Sequence, residues 1–420
     1  MSIETLVQQA DLSSTAFNKE NFDEVVMSTY GRFPIALEKG AGCRLWDTEG
    51  KEYLDFVAGI ATCTLGHAHP ALIEAVTQQI QKIHHVSNLY YIPEQGELAR
   101  WIVDNSCADK VFFCNSGAEA NEAAIKLARK YAHTVLNIDK PIILTANYSF
   151  HGRTLATITA TGQPKYQKNF NPLVPGFHYV PYNDIKAVEA AISDLDEGDC
   201  AVGAILLEPL QGEGGVRPGD VKYFQKLRSI CDETGILLIL DEVQVGMGRS
   251  GKLWGYENLG IEPDVFTSAK GLGGGVPIGA MMTKKSCNVL QAGEHASTFG
   301  GNPFACAVAT TVCHTLEREN ILQNVCERGE QLREGLRKIA AKYPEHIAEV
   351  RGWGLINGIE LQSDVEFNAI DVVKTAMSEG LLLVPAGTKV VRFVPPLIVT
   401  EAEINTALQI VEKVLTQMKG

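Results

Sequence analysis

No apolar stretch in this 420-residue chain approaches the roughly 20 residues that cross a bilayer; the apolar runs are as short as the one at 236–240. A membrane span is therefore not expected. Basic clusters are missing as well. Lys and Arg number 37 against 50 Asp and Glu, giving a formal charge of −13, and the cations are scattered. That argues against nucleic acid and against an anionic membrane surface as partner. The ten cysteines form no C-x-x-C pair, and Cys114, Cys231, Cys306 and Cys313 lie inside apolar patterns. They read as small buried thiols of a reducing, cytoplasmic compartment. Residues 1–26 have neither a basic n-region nor an apolar h-region, so a leader is not expected and the segment reads as a loosely docked arm. His67, His69, His84 and His85 have no carboxylate or cysteine at ligand spacing, and no metal is expected.

Repeats, low-complexity tracts and Pro/Gly/Ser linkers are also missing. What is present, from about Lys110 onward, is an alternation. Short β-rich runs at 111–114, 142–145, 204–207, 236–240 and 265–268 take turns with amphipathic stretches such as 118–131, 221–233 and 303–319. This predicts an α/β fold with a mainly parallel sheet and crossover helices. After about residue 320 the texture changes to polar helices at 324–343, 371–379 and 401–419 around short strands at 355–360 and 390–393, which predicts a smaller α+β domain.

Ligands of open α/β sheets bind outside the carboxyl ends of the strands, where Asn115, Glu208, Asp241 and Lys270 fall. Lys270 joins an apolar run to the turn Gly271-Leu272-Gly273-Gly274-Gly275, and Asp241 ends the most apolar run of the chain. A desolvated amine adds to an aldehyde, and a buried aspartate keeps a pyridinium nitrogen protonated. Pyridoxal phosphate needs those two groups. Taken alone, Lys270 reads as a strand-end lysine with its charge in water, and Asp241 as a carboxylate on backbone amides.

The neighbouring motifs tip that balance. Ser116-Gly117-Ala118 opens a helix whose amides suit phosphate, although a plain N-cap serine is an equal reading. Phe150 offers a ring to lie on a pyridine face, and Arg153 a guanidinium for a carboxylate, while an exposed arginine is usually just solvated. His151 stays open between structure and function. Glu213 and Arg392 are opposite charges that would gate between substrates if they met, which sequence does not show. Gln244 is a donor for a phenolic oxygen. The run Gly246-Met247-Gly248-Arg249-Ser250-Gly251 matches a dinucleotide fingerprint, yet no amphipathic helix opens at Gly251 and position 271 is Gly where an acid belongs.

DEVQ at 241–244, SAKGLGGGVPIGA at 268–280 and STFGGNP at 297–303, in that order, resemble the class III, or ω-amino-acid, aminotransferases of fold type I, from about Ser28 to the C-terminus. The resemblance implies a seven-stranded, mainly parallel sheet in a large cofactor-binding domain over 76–320. An arm with part of a small domain would occupy 1–75, and the rest of the small domain 321–420. It implies that Lys270 holds pyridoxal 5'-phosphate as a Schiff base, that Asp241 pairs with the pyridine nitrogen, that Gln244 meets the phenolic oxygen and that Phe150 stacks on the ring. Ser116, Gly117 and Ala118 would bind the phosphate, and Thr298 the phosphate of a neighbouring subunit, which makes a homodimer with shared active sites. Arg153, Ser297 and Arg392 would bind substrate, with Glu213 as the gate on Arg392.

Within the family, NSGAEANEAAIKLARKY at 115–131, SFHGRTLATITATGQPKYQ at 149–167 and VPYND at 180–184 are similar to the members that move the δ-amino group of N2-acetyl-L-ornithine to 2-oxoglutarate in arginine biosynthesis. Members using ornithine, succinylornithine or 4-aminobutyrate share the cofactor residues, so those donors remain open, as does an aminomutase.

Overall fold

The computed structural model describes residues 17–418. Most of the expected arm at 1–26 and the last residue of the expected helix 401–419 lie outside the described residues. The central sheet has seven strands: β1 Lys110–Cys114, β2 Lys140–Ala146, β3 Phe177–Val180, β4 Cys200–Leu207, β5 Leu237–Asp241, β6 Val265–Ser268 and β7 Gly279–Thr283. Their order across the sheet is β1-β7-β6-β5-β4-β2-β3. Strands β6, β5, β4, β2 and β3 run parallel, and β7 is antiparallel to both of its neighbours, β6 and β1.

The sheet is covered on both faces. Every residue of β5 is buried, as an uninterrupted Leu-Leu-Ile-Leu run requires when neither face meets water. Helix α1, Gly117–Thr134, buries Ala123, Ala124, Leu127 and Ala128 in the core shared with β2, β4, β5 and β6. Its inward stripe is mostly alanine, so the helix axis lies close to the strands. On the flank, Pro303–Arg318 packs against Pro70–Lys82 and Pro93–Asp104.

Two four-stranded sheets lie beside this layer. Leu37–Ala41, Arg44–Asp47 and Glu52–Asp55 form an antiparallel meander, which Leu381–Leu382 joins in parallel. Ile347–Trp353, Ile356–Leu361, Val390–Phe393 and Val384–Pro385 form an antiparallel sheet. It is packed by Ile321–Lys342, which begins three residues before the expected 324 because its start carries the apolar Ile321 and Leu322. The fingerprint-like run at 246–251 opens no helix; it is a turn whose Arg249 is buried and donates to the carbonyls of Leu355 and Pro395.

Candidate active site

The carboxyl ends of β5 and β6 and the first turn of α1 converge on a cavity of about 410 Å3. Asp241 is the last residue of β5 and is 4% exposed. Its Oδ2 accepts from Asn121 Nδ2 at 2.8 Å and faces His151 Nδ1 at 2.8 Å, while its Oδ1 accepts from the amide of Val243 at 3.0 Å. Asn121 is itself oriented, because its Oδ1 accepts from Thr267 Oγ1 at 2.8 Å and its Nδ2 also donates to the His151 carbonyl. Thr267 is in register with Asp241 across the β5–β6 pair, so the fold sets this network. Asp241 also lines the cavity, where a buried carboxylate suits a cationic partner.

Lys270 stands two residues beyond β6, on the cavity wall. Its backbone is left-handed, with φ +41°, a conformation that costs a non-glycine residue about 1–3 kcal/mol and clusters at functional sites. Burial pushes the Lys270 amine below its usual range; the carboxylates of Glu213, Asp241 and Glu208 oppose this and Arg392 adds to it. The result is an amine closer to its neutral, nucleophilic form.

Helix α1 begins with Ser116 as N-cap, whose hydroxyl accepts from the Glu119 amide at 3.2 Å. The amides of Gly117 and Ala118, both in the cavity wall, meet no acceptor among the described residues. Together with the helix dipole they form an anion site. Gly117 lies so close to the β5 exit loop that a Cβ there would stand 2.7 Å from Val243 Cγ1. Phe150 packs edge-on to Tyr166 at 5.8 Å, and the exposed Arg153 lays its guanidinium 4.0 Å from the Tyr166 centroid and 5.4 Å from that of Phe150. That stacking holds Arg153 at the cavity rim without consuming its donors.

Glu213 and Arg392, far apart in sequence, meet: Arg392 Nη1 is 2.7 Å from Glu213 Oε1 and also donates to Gln244 Oε1 at 2.7 Å. Arg392 is 1% exposed. Burial pushes the Glu213 carboxyl up, but Arg392 and Lys270 outweigh it and hold the group below its usual range. The pair sits behind Gln244, which lines the cavity. Glu208 closes the same wall; its carboxylate accepts from the amides of Phe150 at 3.0 Å and Gly212 at 3.3 Å, and burial followed by the Asp241 charge pushes its pKa well above the usual carboxylate range.

Ser297 and Thr298 are not in this wall. Ser297 Oγ accepts from Asn115 Nδ2 at 3.1 Å and from the Gly300 amide at 2.9 Å, and Thr298 is exposed. Asn121, Thr267 and the bond from His151 to Asp241 are the parts that reading the sequence missed. The one signal for them was proximity to motif residues already chosen.

The arrangement brings a buried amine, a buried carboxylate, an anion-binding helix terminus and the Arg153 guanidinium around one cavity, with the Arg392 guanidinium behind Gln244. This donor set fits an aldehyde-bearing, phosphorylated pyridine.

The family model for aminotransferase class-III matches residues 25–415. An acetylornithine aminotransferase of Nostoc sp. is 79% identical over 99% of this chain and 99% of its own length. One from Thermosynechococcus vestitus is 70% identical, over 96% of this chain and 98% of its own. Among solved structures, the ornithine aminotransferase of Toxoplasma gondii superposes with a TM-score of 0.90 at 34% identity, covering 100% of this chain and 99% of that one. The N-acetylornithine aminotransferase of Stenotrophomonas maltophilia does so with a TM-score of 0.81 at 38% identity, covering 93% and 98%.

Proposed function

This chain belongs to the class-III aminotransferases, and on that premise we propose that it transfers the δ-amino group of N2-acetyl-L-ornithine to 2-oxoglutarate, giving N-acetyl-L-glutamate 5-semialdehyde and L-glutamate, in arginine biosynthesis. The observation that carries the reaction is the joint placement of Lys270 and Asp241 on one cavity with the Gly117 and Ala118 amides. The donor is supported by the full-length likeness to relatives named for acetylornithine.

Pyridoxal phosphate, when bound, supplies an aldehyde that captures the donor amine and a ring that accepts the electron pair of the broken C–H bond. Lys270 would hold it and would move the proton at Cδ of the donor; burial lowers that amine's proton affinity and so favours the neutral form that a base needs. Asp241, fixed by His151, Asn121 and the Val243 amide, would pair with the pyridine nitrogen. Ser116, Gly117 and Ala118 would hold the phosphate, Phe150 would cover the ring, and Gln244 would serve the phenolic oxygen.

Both substrates carry a distal carboxylate, which Arg153 binds at the rim. Only 2-oxoglutarate and glutamate bring a carboxylate next to the reacting carbon. Arg392 binds that one, and Glu213 masks Arg392 when the donor has none. Glu213→Ala is expected to raise the relative rate with α-amino donors. Unchanged preference among glutamate, ornithine and N2-acetyl-L-ornithine would remove the gate from the mechanism.

The domain limits suggested by the resemblance, 1–75 with 321–420 around 76–320, are supported by the pairing of Leu381–Leu382 with Glu52–Asp55. A homodimer is supported by an exposed apolar surface. Leu89, Tyr90, Tyr91 and Phe299 are 84%, 69%, 103% and 61% exposed around the loop carrying Thr298, which Asn88 ties to their segment through the carbonyls of Ser297 and Gly300. No helix among the described residues is long and apolar enough to cross a membrane, and a cytoplasmic site of action goes with that and with the free thiols.

The test is the amino-group transfer from N2-acetyl-L-ornithine, ornithine, N-succinylornithine and 4-aminobutyrate, each given separately to the holoenzyme with 2-oxoglutarate. Stoichiometric glutamate, formed fastest from N2-acetyl-L-ornithine, is expected. A faster reaction with another amine changes the donor, and absence of glutamate with all four refutes transamination.

A further inference from the structure

Arg351 lies outside every motif singled out in the sequence, yet it is 9% exposed and makes a larger set of bonds than any other arginine near the gate. Its Nε donates to the carbonyls of Gly215 at 3.1 Å and Val216 at 3.0 Å, and its Nη2 donates to Gly215 at 2.6 Å. Its Nη1 is held by Glu349 at 2.6 Å and by Glu360. Those carbonyls belong to the turn between Leu210–Gln211 and Arg217–Pro218, the turn that carries Glu213.

The register of the neighbouring sheet explains why this matters. Arg351 is paired with Gly358, and Gly358 with Arg392, across three antiparallel strands. Directly paired residues present their side chains on one face of a sheet. The two arginines therefore straddle a glycine on the face that meets the turn. A Cβ at Gly358 would stand 3.1 Å from Val216 Cβ, so Val216 seats in the gap that the missing side chain leaves. The turn is thus held at three points in a row: Glu213 on Arg392, Val216 over Gly358, and the Gly215 and Val216 carbonyls on Arg351. Only the first of these must open for substrate.

We propose that Arg351 is a positioning residue for substrate selection: by clamping the Gly215 and Val216 carbonyls to the small sheet, it holds Glu213 in reach of Arg392 and sets how readily the gate yields to an incoming α-carboxylate. This role rests on the aminotransferase reading above. A planar fork with its Nη1 anchored by two carboxylates is stiff enough to transmit the position of the sheet to the turn. Loosening it frees Arg392 more of the time, which favours glutamate and leaves a bare buried cation against N2-acetyl-L-ornithine.

The experiment measures the half-reactions of the holoenzyme with glutamate and with N2-acetyl-L-ornithine, taking the ratio of the two kcat/KM values. In Arg351→Met the ratio is expected to move toward glutamate by about threefold or more, within the range of couplings between residues of one network. In a Glu213→Ala background the same substitution is expected to leave the ratio where Glu213→Ala alone puts it. A ratio that stays at its wild-type value in Arg351→Met, or that shifts equally in both backgrounds, overturns the proposal, because a merely structural role adds independently of Glu213. Should Arg351→Met fail to accumulate folded, Arg351→Lys keeps a cation beside Glu349 and Glu360 but loses the fork, and the same two outcomes decide. Wild-type holoenzyme that reacts with neither donor refutes the reaction assignment itself, a result separate from any behaviour of the variants.

Discussion

Lys270 and Asp241 are ionisable residues placed where water is scarce, and their behaviour follows from that. Because burial lowers the Lys270 amine, protein freed of cofactor is expected to capture pyridoxal phosphate covalently at a rate that rises with pH and levels off below 10.5, the ordinary lysine value. Stopped-flow absorbance of the cofactor measures this; a plateau reached only above 10.5 contradicts the desolvation argument. The sign for stability agrees. Between the lowered folded value and the ordinary one the unfolded chain binds the extra proton, so this group's contribution to stability grows with pH across that window. Asp241→Asn keeps the size of the side chain and removes its charge. It is expected to lower kcat by about 10²-fold or more, the scale of losing one preorganised electrostatic contact, while far-ultraviolet circular dichroism stays unchanged.

At the scale of elements, the joint between β5 and α1 carries the site. Gly117→Ala would drive a methyl group into Val243 and separate the phosphate-binding turn from the loop after Asp241. A loss of about 1–3 kcal/mol of stability, as in other overpacked cores, is expected together with weaker retention of pyridoxal phosphate, measured by thermal melting and by dialysis against buffer. An unchanged melting temperature would mean that the loop relaxes freely.

The same scale shows how far the sequence could be read. The strands at 204–207 and 236–240 were legible because buried parallel strands must be continuous apolar runs, and each lies within or shifted by a residue from the observed element. β7 was not, since Gly-Ala-Met-Met-Thr has little β-branched character and takes its form from pairing with β6 and β1. Lys270 and Asp241 stood out as charges at the ends of apolar runs. Asn121, Thr267 and Arg351 carry no such contrast; the packing of α1 on the sheet brings the first to its partners, and strand register places the other two.

For the whole molecule, the proposed homodimer rests on the exposed Leu89, Tyr90, Tyr91 and Phe299 around the loop carrying Thr298. Sedimentation equilibrium is expected to give twice the chain mass of 45.7 kDa at micromolar concentration. Tyr91→Glu, at a fully exposed position of that surface, is expected to shift the mass toward one chain and to lower activity with it; an unchanged dimer would place the interface elsewhere.

The antiparallel strand β7 also has a consequence for how the molecule comes into being. β1 is an edge strand whose one neighbour is β7, and Leu54 at the other end of the N-terminal region bonds the carbonyl of Gly380. On a ribosome, β1 emerges long before β7, and the meander at 37–55 long before residues 381–382. β1 must wait unpaired, and the meander with one edge open at Glu52–Asp55, while most of the chain is made. Such delayed, long-range pairing slows folding and exposes apolar edges to aggregation. Nascent chains halted before residue 279 should therefore bind a holdase chaperone through 110–114, and chains halted after 382 should not.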